Sequence, residues 1–184
     1  MKKTVLTFGA IASVLLATSV SITTLVLKRN AGHIENGEVF GYLSMLIAFA
    51  FIFMAVKSYR DRYLGGIISF KTAFMVGLWV TLIASAVYTL TWIILYKGVY
   101  PEFMNDFMAN SLAQKRAAGA SEAELQKATA KARDMQALYD TWPGLIGFTL
   151  MEILPVGLLV SLISALVLRR RMARENRVAF ERTA

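Results

Sequence analysis

Residues 145–168 read LIGFTLMEILPVGLLVSLISALVL and stop at Arg169-Arg170-Arg171. Glu152 is the one ionisable side chain in that run. A helix needs about 20 apolar residues to cross a bilayer, so the stretch is long enough to span one. Three more stretches repeat the pattern. Residues 4–27 lie between Lys2-Lys3 and Lys28-Arg29, residues 39–56 stop at Lys57, and residues 70–96 hold only Lys71 near their start. Apart from tyrosines, Lys71 and Glu152 are the only ionisable groups in the four.

The composition agrees. The 184 residues are 57% hydrophobic and 17% charged, against about 25% charged in a soluble domain. A soluble globular domain and a disordered chain are excluded. The runs do not alternate in strands of about 10 residues, which argues against a membrane barrel. With no cysteine, disulfides, thiolate nucleophiles and cysteine metal sites are ruled out. The fold class expected is all-α: an integral membrane four-helix bundle in a single domain over 1–184. Met1-Lys2-Lys3 resembles the start of a signal peptide. The following apolar run exceeds the usual 7–15 residues of one, which favours an uncleaved first helix.

Lys and Arg set the orientation. Lys2, Lys3, Lys57, Arg60, Arg62, Lys71 and the arginines between Arg169 and Arg182 face only Asp61, Glu175 and Glu181. The 28–38 and 97–144 loops are each neutral. The net charge of +8 therefore belongs to one side. The expectation is a bacterial inner-membrane protein with both termini cytoplasmic, an extracytoplasmic 97–144 insert and a basic cytoplasmic tail over 169–184. The pI near 9.9 follows from this topology and does not indicate nucleic-acid binding. Arg169, Arg170, Arg171 and Arg174 are candidate contacts to anionic lipid headgroups, beside their simpler role as a stop-transfer flank.

The 97–144 insert carries no strand pattern and reads as a helical hairpin between spans three and four. Its first helix is expected from Pro101, a good N1 residue, to a stop at Gly119. The second opens at Ser121 with Glu124 three residues on, a capping box. Trp142-Pro143-Gly144 is expected to end it. Tyr96, Tyr100, Tyr139 and Trp142 are expected to form an interfacial aromatic belt. The hairpin is either a solvated spacer or a docking arm.

Small residues recur every fourth position: Gly9, Ser13, Ala17 and Ser21; Ala73, Gly77, Thr81, Ser85 and Thr89; Gly157, Ser161 and Ala165; and Ser44 with Ala48. Such stripes let helix backbones approach closely in lipid. Glu152 is the one acid at membrane depth and needs a partner or a proton, at a cost of at least ~2.5 kcal/mol. Pro155 removes a backbone donor and frees the Met151 carbonyl. Depth counting places Tyr88, Thr89, Ser44 and Ser21 near the level of Glu152, giving a candidate intramembrane polar site. Glu152 is either a structural carboxyl at a kink or a proton or cation site.

No His pair, Walker loop or nucleophile elbow is present, and His33 stands in a short loop with Glu35 and Glu38. No cofactor, metal site or enzyme activity is expected. The leading expectation is a non-enzymatic structural or accessory protein, as a homo-oligomer or beside another membrane protein. The alternative is a small proton- or ion-linked transporter, or a channel-like protein, using Glu152.

Several motifs carry a resemblance: Asn36-Gly37-Glu38-Val39-Phe40-Gly41-Tyr42, Ser58-Tyr59-Arg60-Asp61, and Gly65-Gly66-Ile67-Ile68-Ser69-Phe70 with Ala73-Phe74 and Gly77. Pro101-Glu102-Phe103 and Pro155-Val156-Gly157, leading to Leu168-Arg169-Arg170, complete the set. Over nearly its whole length the chain resembles a bacterial family of small four-span membrane proteins catalogued as a domain of unknown function. The resemblance implies the same four-span architecture and no catalytic residues.

Overall fold

The computed structural model describes residues 1–30 and 37–169. Among these described residues six α-helices follow one another: α1 Lys2–Arg29, α2 Gly37–Tyr63, α3 Phe70–Ile94, α4 Phe103–Ala117, α5 Glu122–Tyr139 and α6 Trp142–Leu168. A π-helical turn, Leu95–Val99, extends α3. Helices α1, α2, α3 with its extension, and α6 are each long and apolar enough to cross a membrane. That is the architecture of a multi-pass membrane protein.

Three helix boundaries differ from the sequence expectation. The apolar run of α2 ends at Lys57, but the helix continues to Tyr63. Hydropathy marks where a helix leaves lipid and not where its hydrogen bonds end. Arg60 and Arg62 sit in the last turn, where positive charge suits the helix dipole. The chain then turns sharply. The N–H groups of Leu64 and Gly66 both donate to the Arg60 carbonyl, at 3.2 and 3.0 Å. Gly65 and Gly66 take positive φ, 59° and 86°, which glycine adopts without a Cβ clash. Ser69 caps α3 by accepting from the Thr72 N–H at 3.2 Å.

The second difference lies at α4, which starts at Phe103 with Pro101 two residues ahead in a turn. Its end is as expected, with Gly119 at φ 83° just beyond Ala117. Ser121 and Glu124 form the capping box of α5. The Ser121 N–H and hydroxyl hold the Glu124 carboxyl below its usual range. Trp142-Pro143 belongs to α6 instead of closing the insert. Thr141 caps that helix, accepting from the Gly144 N–H at 3.1 Å. Proline in the first turn loses no helix bond, so it starts a helix here.

Helix α3 packs against α1, α2 and α6, and α2 also packs on α1 and α6. The closest approach joins α3 and α6. A Cβ on Gly77 would lie 2.8 Å from Ser161 Oγ and 3.0 Å from Ile52 Cγ2. A Cβ on Gly157 would overlap Thr81 Cγ2 and stand 3.0 Å from Phe49 Cζ. Thr81 Oγ1 and Ser161 Oγ are 3.1 Å apart, and Ser161 donates to the Gly157 carbonyl at 2.8 Å. Thr81 therefore serves as donor to Ser161. Two small-residue stripes thus meet within the chain. On α1, Gly9 would place a Cβ 3.2 Å from Ile83 of α3, a milder contact. Pro155 lies inside α6, which stays helical through it. Away from these seams large apolar side chains face outward, among them Leu6, Val14, Ile47, Leu90 and Val167, as lipid contact requires.

Gly157→Ala is expected to destabilise the bundle by ~1–3 kcal/mol, the usual range for overpacking. Gly41→Ala has open space around its Cβ and should leave stability unchanged or slightly raised. Thermal unfolding of both variants in detergent checks the contrast.

Candidate functional site

The pairs Gly77–Ser161 and Thr81–Gly157 show that α3 and α6 run antiparallel in a fixed register. One turn further along, the same register sets Ser85 of α3 level with Ile153 of α6. The next turn sets Thr89 level with Thr149. Tyr88 and Glu152 fall at this depth, and each lies within electrostatic range of the other. Tyr139, the last residue of α5, is also within electrostatic range of Glu152.

The hydroxyls here divide into two groups. Ser13, Ser21, Thr24, Thr91, Thr149 and Ser161 each donate to the carbonyl four residues back, at 2.7–2.8 Å. This is the ordinary way a membrane helix satisfies a hydroxyl. Ser85 Oγ and Thr89 Oγ1 have no hydrogen-bond partner among the described residues. Both residues are buried, at 1% and 6% exposure. Glu152 makes no hydrogen bond or ion pair to a described residue either. Its side chain is exposed at the bundle surface, beside Met151 at 72% exposure. The candidate acid is therefore not sealed inside the four helices. The buried stripe of α6 runs through Thr149, Ile153, Gly157 and Ser161, and residue 152 lies about 100° off it.

Of the other expected site residues, Ser44 is half-buried and donates to the Gly41 carbonyl at 2.7 Å, and Ser21 donates to Ala17. Each hydroxyl is satisfied on its own helix. On α2 the residue in electrostatic range of Tyr88 is Tyr42. Pro155 is exposed, so its ring faces away from the α3–α6 contact. Arg169 is exposed and follows the last turn of α6, its N–H donating to the Ala165 carbonyl at 3.2 Å. Arg170, Arg171, Arg174 and His33 lie outside the described residues.

Beyond Thr89 the seam is closed by aromatic rings. Trp92 Nε1 donates to the Tyr139 hydroxyl at 2.7 Å. Thr149 on α6 gives its own proton to the Leu145 carbonyl. Tyr96 donates to Asp140 Oδ1 at 2.8 Å, and Tyr100 to Asp106 Oδ2. Phe103 stands edge-on to Trp92, with centroids 5.0 Å apart. Tyr96 and Tyr100 are only 3% and 2% exposed. They are not belt residues: each hydroxyl finds a carboxylate within the protein, so neither ring needs the interface for its polar tip. Trp142, at 61% exposure, keeps an outward position.

Sequence reading missed Ser85, Tyr139, Trp92 and Thr149 as parts of this seam. Ser85 carried a signal, standing one turn from Thr89 on the small-residue stripe. The Trp92–Tyr139 bond, 47 residues apart in sequence, carried none.

Tyr139→Phe should cost ~1–3 kcal/mol in thermal unfolding, because it leaves the buried Trp92 N–H unpaired. Burial chiefly pushes the Tyr139 hydroxyl up to about 12 from 10.0. Its contribution is thus complete below pH 10 and is lost as pH rises towards 12. Over that window the wild type should lose stability more steeply than the Phe variant.

Neither the curated proteins nor the solved structures gave a match to this chain. Residues 7–170 match the model of a family described as protein of unknown function (DUF4199). The match covers most of the chain, both stripes of the α3–α6 seam and Glu152, and the chain belongs to that family.

Proposed function

We propose that the chain is a non-enzymatic inner-membrane protein of bacterial type that works as a structural or accessory subunit. Its termini are cytoplasmic, and α4 and α5 form a helical hairpin on the other side. The observation that carries the reading is Glu152, a carboxyl on an otherwise apolar outward face of α6. Leu159, seven residues on, shares that face and is 55% exposed. A carboxyl facing hydrocarbon costs at least ~2.5 kcal/mol even on the mildest scales. A neighbouring subunit against this face relieves that cost. The occupant is another membrane protein or a second copy of the chain, and anionic lipid headgroups surround the basic ends.

Native mass spectrometry after gentle extraction tests the reading. A second protein at fixed stoichiometry, or a defined homo-oligomer, is expected; a strict monomer overturns it. A cysteine placed at Ser121 should react with a membrane-impermeant reagent from the outside only. Reaction from the cytoplasmic side overturns the orientation.

A second reading is ion-linked transport. The observation favouring it is that Glu152 sits within electrostatic range of Tyr88 and Tyr139 yet bonds neither. Flux into vesicles that disappears in Glu152→Gln, with assembly intact, supports this reading. Absence of flux in the wild type ends it.

A further inference from the structure

We propose that a second copy of the chain covers the outward face of α6, with the Glu152 carboxyl of each copy donating to the Met151 carbonyl of the other. The inference rests on the accessory-subunit reading and names the neighbour that reading leaves open.

Two hydrogen-bonding groups without a partner share this face. Glu152 is exposed and makes no hydrogen bond to a described residue. Pro155 is exposed as well and lies inside the helix. It has no N–H, so the Met151 carbonyl lacks the donor that residue 155 supplies in a regular helix. Hydrocarbon holds no water to replace that donor, and neighbouring protein is what re-satisfies a freed backbone group there. The neutral carboxyl has one proton to give, and the ionised form is the costlier one against lipid. Every other exposed residue from 151 to 167 is apolar. One donor and one acceptor thus stand side by side on a face that offers nothing else polar.

Their azimuths make the pair self-complementary. At about 100° per residue, Met151 stands about 40° to one side of Pro155 and Glu152 about 60° to the other. Leu159, Leu162 and Leu166 continue the face within about 40° of Pro155, and all three are exposed. Copies of one chain share an orientation in the membrane, so a two-fold axis along the bilayer normal sets two α6 helices parallel. That rotation turns the Glu152 flank of one helix towards the Met151 flank of the other, at equal depth. The contact then closes twice, once on each side of Pro155. A different membrane protein would need its own matching acceptor and donor at this depth, whereas a second copy has both by symmetry.

The chain has no cysteine, so single cysteines report proximity without background. The full chain in native membranes is oxidised with copper phenanthroline. Leu162→Cys, near the centre of the face, should form a disulfide-linked dimer. Val14→Cys, exposed on α1, should not cross-link. Association is then measured by energy transfer between fluorescently tagged chains diluted in liposomes. Glu152→Leu removes the donor, and Pro155→Ala returns an N–H to the Met151 carbonyl. Each should weaken association roughly tenfold, the loss of both interhelical bonds in the dimer. Glu152→Gln, whose amide still donates, should associate as the wild type does. Thermal unfolding confirms that each variant is folded.

Absence of the Leu162→Cys dimer overturns the two-fold contact, and so does equal cross-linking at Val14→Cys. If native mass spectrometry then shows a second protein at fixed stoichiometry, the accessory reading stands without this contact; a strict monomer removes both. Association unchanged by Glu152→Leu or by Pro155→Ala overturns the assigned pair, as does its loss in Glu152→Gln.

Discussion

The contact between Gly77-Thr81 on α3 and Gly157-Ser161 on α6 controls the rest of the bundle. No side chain separates the backbones there, and the Thr81–Ser161 hydrogen bond fixes the register to a single residue. In lipid the hydrophobic effect does not press helices together, so dispersion at close range and a few hydrogen bonds must do so. Phe49 and Ile52 of α2 fit against the same glycines. Three helices are therefore keyed at one level, and α1 joins through the looser contact of Gly9 with Ile83.

That register brings the polar groups of α3 and α6 to a common depth. Had α6 slid by one turn, Thr89 would no longer lie level with Thr149, and Trp92 would lose Tyr139. The packing at the middle of the bundle thus governs the chemistry nearer its α4–α5 end. The site hydroxyls continue the stripe that makes the close approach, with Thr81, Ser85 and Thr89 at successive turns. The first is used in helix packing, and the other two keep free oxygens where the helices still lie side by side.

Much of this was legible in the residues. The four spans follow from unbroken hydropathy, and the stripes of Gly77 and Gly157 mark their own interface. Capping at Ser121 and the stop at Gly119 are local chemistry, written within a few residues. What stayed hidden depends on distance or direction. The extension of α2 past Lys57 needs hydrogen-bond information that hydropathy lacks. Tyr96 and Tyr100 look interfacial by composition, and only the approach of Asp140 and Asp106 turns them inward. Depth counting placed Glu152 level with Tyr88, but depth leaves the azimuth open, and the carboxyl faces outward. Ser44 illustrates the same limit, reaching the expected level while its hydroxyl closes on Gly41.

Tyr139 ends α5, and only Asp140 and Thr141 separate it from α6. A Cβ on Gly144 would collide with the Leu138 carbonyl, so the chain passes back on itself with no slack. With Tyr139 also held by Trp92, this corner acts as a welded joint. The far turn of the α4–α5 segment, around Gly119, has open space about it instead. A load applied to the body of α5 is therefore delivered as torque on the start of α6, about two to three turns from Glu152, and is not absorbed at the base.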